Sequence, residues 1–174
     1  MTYTKCLNVS ATGNLAVRLA VGIPGKGMSM GKLSRILVPV DGSSDSDKAV
    51  DMAVTIAAAC GTVLDILCVS YFDSATDAAE DDDTWLPDFV AAPAGHRIRE
   101  ILEKARSRVP EGVRVELHQR NGNPAKKILE FSHEHGDETI VVGAKGLGFV
   151  RGFLLGSVSQ EVMESAQGAV IIVK

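Results

Sequence analysis

From Arg35 to Val173 short apolar runs alternate with stretches of helical spacing, and that alternation leaves few folds open. Ile36-Leu37-Val38-Pro39-Val40 reads as a buried strand. Ser44-Asp45-Ser46-Asp47 supplies a helix start, and Ala49, Ala53, Ile56, Ala57 and Cys60 recur at helical spacing until Gly61 closes the helix. Val63 to Val69 is a second strand, and His96 to Arg108 a helix with Ile98, Ile101, Leu102 and Ala105 on one face. Val113, Val115 and Leu117 alternate with Arg114, Glu116 and His118, the pattern of a half-buried strand at a sheet edge. Asn123-Pro124 opens a helix through Ser132, Thr139 to Val142 is a fourth strand, a helix begins at Ser157, and Ala169 to Val173 is the last strand. Strands separated by helices imply βαβ units, a parallel sheet and right-handed crossovers: an α/β fold of five strands and four helices in one domain.

The fourth strand runs straight into Gly143-Ala144-Lys145-Gly146, and Gly156-Ser157 follows after a loop containing Arg151. Glycines at a strand exit and a helix entry expose backbone N–H groups that can meet an anion, and the helix dipole favours negative charge there. Ser157 with Gln160 also spells a Ser-x-x-Gln capping box, which would use some of the same donors. Asp41-Gly42-Ser43-Ser44 leaves the first strand at the same sheet end. If the first and fourth strands are neighbours, both loops line the crevice where a doubly wound sheet binds ligands. Asp41 then reads either as a turn and capping residue or as a carboxylate for a ribose or for Mg2+.

Composition removes several function classes. The 174 residues carry a net charge of −4 and 5% aromatics, a poor match to a nucleic-acid binder. No apolar run reaches the roughly 18 residues of a membrane span. Cys6, Cys60 and Cys68 lack metal or redox spacing, and a reducing cytoplasm suits them. Met1 to Gly31 holds Lys5, Arg18 and Lys26 and no acid, and Arg18 interrupts its weakly apolar stretch, so it fits a secretory signal poorly. It reads as a floppy tail or as residues upstream of a natural start at Met28 or Met30, with Met30-Gly31-Lys32 just ahead of the first strand favouring the latter.

Ile36 to Ser44, Val69 and Gly143 through Ser159 together resemble the universal stress protein family, and the resemblance extends over Lys32 to Lys174. The motif Gly-x2-Gly-x9-Gly-Ser is met by Gly143, Gly146, Gly156 and Ser157, and in this family it marks the ATP-binding branch. The resemblance implies a Rossmann-like sheet of order 3-2-1-4-5 and a homodimer joined through the last strand, Val170 to Val173. It implies that Pro39, Val40 and Asp41 line the adenine and ribose end, with Val69 on the base. Gly143 would approach the ribose, Lys145 and Gly146 the phosphates, and Gly156, Ser157, Val158 and Ser159 would hold phosphate at the helix N-terminus. The expected function is a nucleotide-dependent dimeric stress-response regulator with at most slow ATP hydrolysis, since no general base is evident. A non-enzymatic dimeric adaptor with a vestigial pocket is the alternative, and an adenylate-forming enzyme would need an acceptor pocket that nothing identifies.

Some features stand outside that pattern. Tyr71 to Gly95 contains seven acids and no Lys or Arg, and reads as a solvated loop, a lid anchored by Trp85 and Phe89, or a docking loop. Gly25-Lys26 approaches a Walker loop, but Gly27 stands where Ser or Thr is needed. His133 and His135, two apart, face different sides of a helix end, a poor metal pair.

Overall fold

The computed structural model describes residues 5–11, 15–21, 33–70, 88–148 and 154–174, and for 5–11, 15–21 and 88–95 only the backbone. Phe149 to Phe153, Trp85 and most of the acidic stretch lie outside the described residues. The elements run β1 (Lys5–Ala11), β2 (Leu15–Val21), β3 (Arg35–Val40), α1 (Ser44–Cys60), β4 (Val63–Ser70), α2 (Asp88–Ser107), β5 (Val115–Asn121), α3 (Pro124–His135), β6 (Thr139–Gly143), α4 (Ser157–Ser165) and β7 (Ala169–Val173).

Five parallel strands stand in the order β7-β6-β3-β4-β5. Counted from β3, that is the expected 3-2-1-4-5. Successive residues of each strand face opposite sides, so β3 divides its apolar side chains between two cores. Ile36, Val38 and Val40 pack with Leu64 and Ile66 under α1 and α2, where Ala49, Val50, Ala53 and Ile98 are buried. Leu37 joins Leu67, Ile140 and Ile172 under α3 and α4, with Ile128, Phe131 and Val162. Helix ends follow the sequence signals: Ser43 accepts from Ser46 N–H, Asn123 accepts from Lys126 N–H, and Gly61 and Gly136 close α1 and α3 at φ 65° and 68°.

Several parts of the fold differ from the sequence expectation. The N-terminal stretch forms an antiparallel hairpin, and β2 adds to the edge of β7 with Val17 opposite Val173 and Ala20 opposite Val170. The reason is visible in its spacing: Leu15, Val17, Leu19 and Val21 alternate with Ala16, Arg18 and Ala20, the period of a strand. The edge expected to pair with a second chain is therefore paired within this one. Residues 88–95 belong to α2, which starts eight residues before His96. On the edge strand β5, Leu117 is 38% exposed. His118, on the opposite face of the unbroken strand, bonds the buried Asp65 carboxylate, so the polar member of the alternation is the more enclosed one. Cys60, placed on the apolar helix face, is exposed at the end of α1.

Candidate functional site

The parallel strands carry the site because β3 and β6 part company. β3 pairs with β4 as far as Val40 opposite Cys68, but its ladder with β6 ends at Leu37 opposite Ile140. Beyond that point a crevice of about 670 Å³ opens at the C-terminal strand ends, where the strand order reverses. All eleven residues singled out from the sequence line it. Pro39, Val40 and Asp41 come from the end of β3 and Val69 from β4, while Gly143, Lys145 and Gly146 follow β6. Gly156, Ser157, Val158 and Ser159 come from the entry to α4.

Sequence reasoning missed the apolar walls. Leu67, Val142 and Leu155 line the cleft, and so do Pro124 and Ile128 from the first turns of α3. The signal for α3 was present in Asn123-Pro124 and its helical spacing, but nothing local says which groove a helix N-terminus borders.

Asp41 ties the two loops together. Its Oδ1 accepts from Ser43 N–H at 2.9 Å, and its Oδ2 accepts from Leu147 N–H at 3.0 Å. The Ser43 hydroxyl adds a bond to Lys145 O at 3.3 Å. The carboxylate is thus both the turn residue and the loop brace, which accounts for Gly146: a Cβ there would lie 2.6 Å from Asp41 Oδ2. Gly143 is required for packing as well. Its Cβ would come within 2.7 Å of Asp45 C and 2.8 Å of Ser46 N, so the first turn of α1 lies against its bare backbone. Gly156 differs, since its Cβ would meet nothing closer than 3.6 Å and its φ of −77° suits any residue.

The expected capping box does not form. The N-cap of α4 is Gly156, without a side-chain cap, and Ser157 is the first helical residue. Gly156 N–H donates to Ala144 O at 2.8 Å, fixing the helix start against the loop. The buried Ser159 hydroxyl bonds Ala144 O and Gly156 O, both at 2.9 Å, so it braces the loop. The amides of Ser157, Val158 and Ser159 in the open first turn of α4 border the cleft with no protein cap among the described residues. Asp41 and Lys145 are the only titratable side chains lining the cleft among the described residues. Just outside it, burial pushes the Cys68 thiol up to about 11, with the Asp41 charge adding to the shift. Cys68 is a packing residue, as its place in an apolar run suggests.

This geometry has relatives. The model of the universal stress protein family matches residues 32–174. Universal stress protein YxiE of Bacillus subtilis is 33% identical over 146 residues, covering 81% of this chain and 99% of the relative. Among solved structures, universal stress protein UspA from Lactobacillus plantarum superimposes with a TM-score of 0.62 at 26% identity, covering 83% of this chain and 99% of that one. A universal stress protein in complex with cAMP gives a TM-score of 0.58 at 27% identity, over 82% and 97% of the two chains. With the sheet order, the cleft and the family match in agreement, the chain belongs to the universal stress protein family.

Proposed function

We propose that this chain binds ATP in the cleft between β3 and β6 and acts as a nucleotide-dependent stress-response regulator in the cytoplasm. The carrying observation is the uncapped first turn of α4, which presents backbone donors to the cleft beside Lys145. An apolar wall of Val40, Val69, Val142 and Ile128 suits a flat base, and the relative solved with cAMP supports an adenine ligand. Asp41 would take the ribose hydroxyls or hold Mg2+, and it is the one carboxylate lining the cleft among the described residues. Hydrolysis would be slow, because that carboxylate already accepts two backbone N–H groups and no other base lines the cleft there. The free thiols of Cys60 and Cys68 support a reducing compartment.

The decisive experiment is calorimetric titration of ATP, AMP and cAMP into the wild type and into Gly156→Val. Gly156→Val leaves the fold intact and weakens nucleotide binding at least tenfold, since its branched side chain reaches the phosphate donors. Absence of binding by any adenine nucleotide would sink this reading and favour an adaptor with a vestigial pocket. Homodimerisation through Val170 to Val173 requires β2 to yield the β7 edge. In sedimentation, a chain beginning at Met28 doubles its mass relative to the full chain if β7 is the dimer edge.

A further inference from the structure

At the opposite end of the sheet from the cleft, on the side covered by α3, a buried group of charges belongs to no part of the nucleotide site. Asp65 on β4 is 0% exposed although it stands in the middle of an apolar strand. Arg35 on β3 grips it with Nε to Oδ2 at 2.7 Å and Nη2 to Oδ1 at 2.6 Å. His118 Nε2 on β5 lies 2.8 Å from the same Oδ1. The Arg35 Nη2 also reaches Glu116 Oε2 at 2.6 Å, so the protein itself supplies the cation these acids need.

Asp137, at the entry to β6, faces the same carboxylate. It is 6% exposed, and neither of its side-chain oxygens has a hydrogen-bond partner among the described residues. Its backbone is held independently, with Asp137 N–H donating to Ser132 O at 2.9 Å and the Ser132 hydroxyl to Asp137 O at 3.2 Å. The main chain that carries the carboxyl is thus fixed by the end of α3, and the carboxyl is buried where that backbone places it. An ionised carboxylate buried without a donor is costly, and a second one alongside costs more.

One proton resolves both problems. A carboxylate offers about four acceptor positions, and Arg35 and His118 fill three of those on Asp65. The remaining position is left for an acid proton on Asp137. We propose that Asp137 and Asp65 form a buried proton-binding site, a carboxylic acid donating to a carboxylate, which makes the folded chain retain one proton that the unfolded chain releases. Burial first and the Asp65 charge second push the Asp137 carboxyl up to about 7. Burial opposes ionisation of Asp65 too, but the hydrogen bonds from Arg35 and His118 hold it below the usual carboxylate range. The other charged or titratable groups near the pair are Glu116 on β5 and His135 on α3, which packs edge-on to His118; the neighbouring Glu138 is exposed and accepts from Ser34 N–H.

The consequence is a fold whose stability falls as pH rises through the acid-to-neutral range. Between about pH 4, where an unfolded Asp ionises, and about pH 7, the folded carboxyl keeps its proton and the unfolded one does not. Urea unfolding of the full chain, followed from pH 4.5 to 8, is compared with Asp137→Asn, whose amide can donate to Asp65 without titrating. The wild-type unfolding constant is expected to rise roughly tenfold per pH unit relative to the variant up to about pH 7, and to run parallel above it. Parallel profiles throughout would overturn the proposal. Carbon-13 NMR of the wild-type carboxyl groups provides a readout that needs no variant. An Asp137 resonance titrating near neutrality supports the site, whereas one titrating below about pH 5, in the ordinary Asp range, refutes it.

Discussion

Two glycines of the loop motif should fail for different reasons, and Gly143→Ala tests the first. A methyl at Gly143 would sit 2.7 Å from Asp45 C and 2.8 Å from both Asp45 O and Ser46 N. Ordinary carbon contacts begin near 3.5 Å, so the overlap is about 0.7 Å against three atoms at once. All three are backbone in the first turn of α1, where no side-chain rotation can relieve them. Overpacking of this kind costs about 3 kcal/mol at its upper range, offset by roughly 0.5 kcal/mol from the stiffer unfolded chain. For a domain of this length, each kcal/mol moves Tm by roughly 2–4 °C, so calorimetry should show a drop of about 5–10 °C. Gly156→Ala meets nothing closer than 3.6 Å and should melt within about 3 °C of wild type. A Gly143→Ala protein that melts with the wild type would refute the packing argument and leave ligand approach as the sole reason for that glycine.

Asp65→Asn leaves Arg35 and His118 facing a group without charge, and urea unfolding at pH 7 should show a loss of about 3 kcal/mol. The stability that Asp65's charge contributes is fully present above about pH 4, where an unfolded Asp ionises, and is lost as pH falls from there through the lowered folded value, so the gap between wild type and variant should narrow in acid. Asp41→Ala removes the acceptor for both Ser43 and Leu147 amides, and hydrogen exchange at those two positions should accelerate at least tenfold while the strands keep their protection.

The legible parts of this molecule were those written in short, local patterns. The strand-to-helix alternation, the Asn123 and Gly61 helix ends and the glycines of the cleft each depend on neighbours a few residues away. The proton pair was not legible, because it needs Arg35, Asp65, His118 and Asp137 brought together from three strands and the turn before β6. The one visible hint was Asp65 itself, a charge in the centre of an apolar run. The N-terminal hairpin was not legible through Arg18, which interrupts a signal-like stretch but not a strand of period two. Ser157 was misjudged because a capping box depends on where the chain enters the helix, and Gly156 enters first.

The open start of α4 has a further consequence. Ser43 closes the first turn of α1 and Asn123 that of α3, but α4 spans nine residues with no side-chain cap among the described residues and no acidic residue in its first turn. So short a helix is marginal by itself. A phosphate accepting its amides would do for α4 what serine and asparagine do for the others, so the ligand would be part of the secondary structure rather than a guest in it. Nucleotide occupancy and the integrity of α4 then become a single equilibrium, and heating the protein in the presence of ligand measures both together.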